Sequence, residues 1–155
     1  MRLSELLNPN SISLSLEATS KPDALEELVA LLEMGHGLDS EGEILECVRK
    51  REAMMSTGVG LGVAIPHGKT ARTDRMIAAC AVSREGLDFE AADGAPAHLF
   101  VLFVSPENNA SQHVRVLSNI SRLLKEESVR RELREAENPE AFLAAVHSAE
   151  SAFIA

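Results

Sequence analysis

Residues 58–68 read GVGLGVAIPHG, and this stretch anchors the fold and the search for function. Four of its eleven residues are glycine, and Val63 to Ile65 form a short apolar run that predicts a strand. Pro66 fixes the backbone directly before His67, at the end of that strand. A plain connecting loop does not need glycine and proline at this density, which is costly in entropy and packing. We therefore expect this backbone to present N–H groups to an anion, with His67 as the functional residue.

Strands are predicted on both sides of this stretch. Residues 76–82 and 99–104 are almost continuously apolar, which predicts two central strands covered on both faces. Residues 11–16 alternate between serine and apolar side chains, which predicts a half-buried strand. Asp93-Gly94 predicts the turn that leads into the strand at residues 99–104.

Four longer helices are predicted from capping signals and apolar spacing. Their starts are Ser20 (with Asp23), Ser40 (with Glu43), Asn109 or Ser111, and Asn138 (with Pro139). Gly35 and Gly37 are expected to end the first helix. The buried stripe of the third is predicted at Val114, Leu117, Ile120 or Ser121, and Leu124. Helices at both ends with strands between them predict an α/β fold, in which a mixed β-sheet is sandwiched between helices in a single domain, residues 1–155.

The charge and cysteine content exclude several function classes. Acidic residues outnumber basic ones 24 to 15, so the net charge of −9 disfavours binding to nucleic acid or to an anionic membrane surface. No apolar run approaches the roughly 20 residues that a membrane span requires. The two cysteines, Cys47 and Cys80, form no CxxC motif and exclude a disulfide framework, so a reducing cytoplasm is expected. Cys47 is interpreted as a small core residue.

His113 is the second candidate functional residue. It falls in the predicted first turn of the third helix, where the helix dipole lowers the imidazole pKa and keeps the ring neutral. The remaining histidines, His36, His98 and His147, are interpreted as structural or exposed. The sequence contains no HxxxH pair and no GxSxG motif, and residues 62–70 are one residue too long for a phosphate-binding loop. We therefore predict no metal and no cofactor.

Two segments carry a resemblance to a known family. Residues 51–70, REAMMSTGVGLGVAIPHGKT, resemble the active-site signature of the fructose/mannitol-type (type 2) enzyme IIA of the bacterial phosphotransferase system. Residues 113–118, HVRVLS, followed by RLL at 122–124, resemble the second histidine helix of that family. Residues 3–25 are most similar to its nitrogen-regulatory branch, and the chain is expected to carry no IIB or IIC domain.

The resemblance implies a role for each matching residue. His67 would accept a phosphoryl group from a phosphorylated histidine carrier protein, and His113 would face that group. Arg51 would offer a fork of donors to the phosphoryl oxygens, and Ser56 and Thr57 would shape the phosphoryl-binding pocket. These roles require no metal, because transfer between histidines depends on positioning and on donors to the phosphoryl oxygens.

The same resemblance implies partners. The donor would be a histidine-containing phosphocarrier protein that docks on a shallow depression rimmed by Val59, Leu61 and Val63, and the regulated targets would be a potassium transporter or a sensor kinase. Leu61 stands where sugar-specific members often carry a polar residue, which favours regulation over sugar uptake. Three alternatives stay open: a regulatory module that acts independently of phosphorylation, a sugar-specific enzyme IIA that passes phosphate to an enzyme IIB, and a small metal- or nucleotide-binding enzyme.

Overall fold

The computed structural model describes residues 1–154 as a mixed sheet with helices on both faces. The strands are β1 (Ile12–Ser13), β2 (Gly58–Gly60), β3 (Val63–Ala64), β4 (His67–Thr70), β5 (Ile77–Leu87) and β6 (Ala97–Pro106). The helices are α1 (Leu3–Leu6), α2 (Lys21–His36), α3 (Glu43–Met54), α4 (Ala110–Leu124), α5 (Glu127–Glu135) and α6 (Pro139–Phe153). A 3-10 helix, Pro9–Ser11, precedes β1.

Strand β6 is the centre of the sheet. It pairs antiparallel with β5 on one side and parallel with β3 and then β4 on the other. Strand β1 adds parallel to β5, and β2 adds antiparallel to β3. The sheet is therefore mixed, as predicted. Its long antiparallel β5–β6 pair lies beside the short strands β3 and β4, which follow the glycine-rich turn and pair with β6.

Two apolar layers cover the two faces of the sheet. On one face, α1, α4, α5 and α6 bury their apolar stripes, and α2 and α3 cover the other. The apolar residues of β5 and β6 contribute alternately to the two layers, which explains why the sequence of both strands is almost continuously apolar. Both predicted central strands are confirmed, although β5 starts at Ile77 and continues to Leu87, and β6 extends at both ends, from Ala97 to Pro106. No helix within residues 1–154 is long and apolar enough to cross a bilayer.

The predicted strand at residues 11–16 is wrong in its extent. The strand covers Ile12–Ser13 alone, because Ser11 belongs to the preceding 3-10 helix. The Ser11 hydroxyl bonds the backbone of Asn8 in a capping box, and this local arrangement competes with sheet pairing.

The predicted helix starts at Ser20 and Asn138 are confirmed. The Ser20 hydroxyl accepts from the N–H of Asp23, and the Asn138 side chain accepts from the N–H of Ala141 at 2.7 Å. Helix α3 starts later than Ser40, after Gly42 in the left-handed region, although the Ser40 hydroxyl still accepts from a backbone N–H of the first turn. Helix α2 runs through Gly35 and ends at left-handed Gly37.

The predicted stripe of α4 is confirmed at Ile120 and Leu124 and is wrong at Val114. Val114 is 64% exposed, and the buried side chains are His113, Val116, Ile120, Leu123 and Leu124. His113, in the first turn of α4, is buried, and a stripe predicted from apolar residues alone does not include a histidine. Cys47 is half-buried and packs at the edge of the core, with its sulfur close to Gly68.

Candidate functional site

His67 is held at the start of β4 with one ring nitrogen fixed. Strand β4 pairs in parallel with β6, which places His67 in register with Phe103. The imidazole stacks on the Phe103 ring, with centroids 5.3 Å apart and planes inclined by 17°. The His67 Nδ1 lies 2.8 Å from the carbonyl oxygen of Ile65. Because a carbonyl only accepts, Nδ1 carries the proton, and Nε2 presents its lone pair.

His113 faces His67 from the first turn of α4. The two ring centroids are 5.2 Å apart, and the planes are inclined by 61°. The His113 Nδ1 lies 2.6 Å from the hydroxyl oxygen of Ser105, which fixes the orientation of the ring. Both histidines are almost fully buried at 6–7% exposure. The structure thus brings together the two histidines that the sequence singled out, and Phe103 forms the shared wall of the site.

Both imidazoles are neutral at neutral pH. Desolvation is the main cause that lowers the pKa of His67. The hydrogen bond to Ile65 raises this pKa, and the positive charges of Arg51 and Lys69 lower it further. The pKa of His113 is lowered to about 4, first by desolvation, then by the charge that His67 gains when it is itself protonated in acid, and then by the positive charges of Lys69 and Arg51. A neutral imidazole is the nucleophilic form of histidine, so the ring of His67 is poised to attack.

Two cations set the local charge. Arg51 lies in the last turn of α3, where its Nη1 donates to the carbonyl of Met55 at 2.9 Å. Lys69 is exposed on β4, two residues after His67. Both act on the pKa values of His67 and His113, so both place positive charge near the rings. Sequence reasoning selected Arg51 and missed Lys69, although strand alternation places Lys69 beside His67.

A chain of hydrogen bonds supports His67 from behind. The buried carboxylate of Glu52 accepts from both the N–H and the hydroxyl of Thr57. The Thr57 carbonyl accepts from the N–H of Ile65 at 3.0 Å, and the Ile65 carbonyl accepts from His67. The Thr57 side chain therefore lies in the interior with its hydroxyl committed to Glu52. Thr57 thereby positions the end of the strand that leads to His67.

Ser56 is committed in a similar way. Its hydroxyl donates to the carbonyl of Phe89 at 2.8 Å and accepts from the N–H of Gly58 at 3.0 Å. These bonds tie the start of the glycine-rich turn to the segment that follows β5. Ser56 thus fixes the shape of the loop.

A buried ion pair completes the support. The Lys21 ammonium, at the first residue of α2, lies 2.9 Å from the Glu52 carboxylate and 4.8 Å from the centre of the Phe89 ring. Lys21 and Glu52 are 14% and 4% exposed at their side chains. This pair joins α2 to α3, and nothing in the local sequence of either helix predicts it. Glu52 and Ser105 were both missed because each acts through a partner that only the fold brings near.

The apolar rim that the sequence predicted for the docking surface does not lie beside His67. Val63 is buried between β2 and β6, and it is in register with Leu99, four residues along β6 from the partner of His67. Val63 is therefore about 13 Å from His67 along the strand direction, and the turn that carries Leu61 lies beyond it. Large exposed apolar side chains do adjoin the site: Met54, Met55 and Val114, which are 80%, 72% and 64% exposed. Within residues 1–154, no cluster of His, Cys, Asp and Glu side chains has the geometry to hold a metal ion.

Comparisons with known proteins agree on one family. A family model described as "Phosphoenolpyruvate-dependent sugar phosphotransferase system, EIIA 2" matches residues 5–149. The chain is 34% identical over 141 residues to the "Nitrogen regulatory protein" of Bradyrhizobium diazoefficiens, an alignment that covers 91% of this chain and 92% of that protein. It is 36% identical over 143 residues to the "PTS system fructose-specific EIIABC component" of Bacillus subtilis, covering 92% of this chain. The aligned segment is 22% of that much longer protein.

Solved structures show the same fold. The nitrogen regulatory protein IIA-Ntr from Neisseria meningitidis superposes with a TM-score of 0.86 at 35% identity, covering 92% of this chain and 97% of that one. The mannitol IIA protein of Escherichia coli superposes with a TM-score of 0.77 at 22% identity, covering 90% and 98% of the two chains. These matches confirm the predicted sandwich of a mixed sheet between helices.

Proposed function

Because this chain belongs to the EIIA type 2 family of the phosphoenolpyruvate-dependent sugar phosphotransferase system, we propose that it is a phosphoryl carrier protein whose His67 receives its phosphoryl group from a phosphohistidine carrier protein. Within the family, the matches to the Bradyrhizobium and Neisseria proteins support the nitrogen-regulatory branch. The state of His67 then acts as a signal to the proteins that this chain regulates, in the cytoplasm where the carrier resides.

The observation that carries this proposal is the free Nε2 lone pair of His67. The Ile65 carbonyl holds the Nδ1 proton, so attack proceeds from Nε2. A new Nε2–P bond forms as the N–P bond of the donor phosphohistidine breaks, and the donor nitrogen leaves with the electron pair. The Nδ1 proton stays on the ring and remains bonded to Ile65. The chemistry needs in-line positioning and donors to the phosphoryl oxygens, and no metal takes part in this step.

Three side chains supply those donors. If the Ser105 hydroxyl donates to Nδ1 of His113, the Nε2–H of His113 is free to donate to a phosphoryl oxygen. Arg51 and Lys69 add the charge-assisted bonds, each worth roughly 1.5–3 kcal/mol. Their charges favour the doubly negative phosphoryl group. The proton retained on Nδ1 makes the phosphorylated His67 ring a good leaving group, so the N–P bond is labile enough for release to the next protein.

The surface around the site suits a docking protein. Met54 and Met55 lie three and four residues after Arg51, and Val114 follows His113, so apolar side chains flank the donors on both sides. A patch of exposed methionine and valine adapts to a partner surface and excludes water from the transfer. We propose that the phosphohistidine carrier docks here, and that a regulated transporter or sensor kinase reads the same face.

A second candidate function is sugar-specific transfer to an enzyme IIB. The similarity to the fructose-specific component of Bacillus subtilis favours it. The two functions share the first step on His67 and differ in the acceptor. Addition of an enzyme IIB to the phosphorylated chain separates them, because rapid loss of label to the IIB protein supports sugar transfer and retention supports regulation.

The first step is tested with a carrier protein that bears a labelled phosphohistidine. Wild-type chain is expected to acquire an acid-labile, base-stable label, and His67→Ala none. His98→Ala is the matched control, because His98 is a half-buried histidine bonded to the carbonyl of Ser83 outside the site. Full labelling of His67→Ala, or none of the wild type, would overturn the proposal. If His67→Ala regulates its targets as the wild type does, the chain is a binding module that does not depend on phosphorylation.

A further inference from the structure

A second cationic site lies away from His67. A cavity of about 530 Å³ opens between the middle of β5 and the exposed side of α5. Four arginines line it: Arg84, Arg130, Arg131 and Arg134. We refer to these four residues as the arginine pocket. In a chain of net charge −9, four arginines around one cavity are an unusual concentration of positive charge, and this concentration favours binding of an anion.

The arginines are not engaged in the ion pairs that would explain them. Glu127 and Glu135 also line the cavity, yet none of the ion pairs found within residues 1–154 involves Arg84, Arg131 or Arg134. Arg131 and Arg134 lie on the same exposed side of α5, where like charges repel. Their guanidinium groups thus keep their full donor capacity facing the cavity.

Arg130 is pre-organised. Its Nη1 donates to the carbonyls of Leu124 and Lys125, at 2.9 and 2.7 Å, which fixes the guanidinium at the end of α4. The Nε and Nη2 donors take no part in these two bonds. A guanidinium held on one side by backbone carbonyls loses little freedom when an oxyanion binds on the other side.

The floor of the cavity is neutral and partly apolar. Val82 and Ser83 of β5 form it, both almost fully buried, and Leu61 extends over one edge. This surface gives a carbon skeleton an apolar contact beside the charged donors. No aromatic side chain lines the cavity, so it offers no stacking surface for a nucleobase.

We propose that the arginine pocket binds a small organic oxyanion with at least two negative charges, either a phosphate ester or a polycarboxylate. The planar forks of arginine match both groups. The volume is in the range of small-molecule sites, and an acidic protein segment would need a longer groove. Val82 is in register with Leu99, four residues along β6 from the partner of His67. The pocket is thus a separate site, at least about 13 Å from the reacting histidine.

The test follows amide chemical shifts of the labelled full chain at low ionic strength. The probes are glycerol 3-phosphate, citrate and inorganic phosphate, with glycerol as the neutral reference. We expect saturable shifts at Ser83, Arg84 and α5 with glycerol 3-phosphate, citrate or both, and weaker binding in high salt. Whichever probe binds more tightly identifies the ligand as phosphate ester or polycarboxylate.

The variant that tests the pocket is Arg131→Gln/Arg134→Gln. It is expected to weaken binding at least tenfold, because two charge-assisted donors are lost. Arg115→Gln/Arg122→Gln is the matched control, since it removes two exposed arginines from α4 outside the cavity. Both variants change exposed side chains, and circular dichroism confirms that they fold.

Four outcomes would overturn the proposal. These are the absence of saturable shifts with every probe, an equal loss of binding in the control variant, and shifts confined to the residues around His67. The fourth is binding of polyglutamate to α5 without binding of the small probes, which would identify a docking surface for an acidic protein. Inorganic phosphate bound as tightly as glycerol 3-phosphate would remove the claim that a carbon skeleton is recognised.

Discussion

Two histidines with one ring nitrogen fixed lie near opposite ends of β6, His98 on β6 itself and His67 on the neighbouring β4. They differ in what faces the other ring nitrogen. His98 bonds the Ser83 carbonyl through Nδ1, and its Nε2 edge packs against the backbone of Gly86. His67 bonds the Ile65 carbonyl through Nδ1, and its ring faces the imidazole of His113. The same side chain thus fills space at one end of the strand and presents a nucleophile at the other.

The supporting structure differs in the same way. At the His67 end, a relay of hydrogen bonds runs from Glu52 through Thr57 and Ile65 to the ring. The Lys21 ammonium neutralises the Glu52 carboxylate at the start of this relay. At the His98 end, contact with a glycine backbone suffices. A reacting ring must be held in one tautomer and one orientation, and this requirement explains why buried charge is tolerated beneath His67.

The largest expected effect is on stability at the His67 end. Glu52→Ala leaves the Lys21 ammonium buried without its closest carboxylate and removes the acceptor of two Thr57 donors. We expect the free energy of unfolding to fall by about 3–5 kcal/mol, measured by urea denaturation. The double variant Lys21→Met/Glu52→Met should recover part of this loss, because both charges leave together. A loss below about 1 kcal/mol in Glu52→Ala would show that the relay is not a structural support.

The next effect is on the rate of transfer. His113→Ala removes the donor that faces His67, and we expect the rate of phosphoryl transfer to fall by about 10²–10³-fold. His98→Ala is expected to leave that rate within about twofold of the wild type. Rapid-quench measurement of label on the chain gives both rates. An equal decrease in the two variants would erase the distinction between the two ends of β6.

Local capping and the His67 loop could be predicted from the sequence. Ser20 and Asn138 cap their helices through bonds within three residues, which the local sequence encodes completely. The glycine and proline around His67 indicated a shaped backbone, and His113 was expected at a helix start. These features follow from short-range physical chemistry, which a single sequence contains.

The features that the sequence did not predict depend on contacts between different segments of the chain. The Lys21–Glu52 pair and the Ser105–His113 bond exist only after strands and helices assemble. The stripe of α4 was misplaced because the site turns polar His113 inward and leaves Val114 exposed. An apolar pattern assumes that burial follows hydrophobicity, and it fails where function places a polar ring in the interior.

The His67 end should also make the fold sensitive to acid. The pKa of His113 is lowered to about 4, so below pH 6.5 the unfolded chain binds a proton that the folded chain refuses. Stability is therefore unaffected above pH 6.5 and falls as the pH decreases toward 4. The expected loss is on the order of 3 kcal/mol.

The control for this acid effect is His113→Asn. Carboxylates titrate in the same range, so the relevant quantity is the difference between the two unfolding curves. That difference should change between pH 6.5 and 4 and stay constant above pH 7. Curves that run parallel throughout would show that the His113 ring is not kept neutral by the fold.

The smallest expected effect is at the His98 end. Gly86 has φ of +79°, and a Cβ there would lie 2.7 Å from the His98 ring, so Gly86→Ala combines backbone strain with a steric clash. We expect a loss of about 2 kcal/mol in unfolding free energy. Gly94→Ala, at φ of +73° in open space, isolates the backbone cost of about 1 kcal/mol. Because His98 lies outside the His67 site, Gly86→Ala should transfer phosphate at the wild-type rate. A tenfold slower transfer would show that the two ends of β6 are coupled.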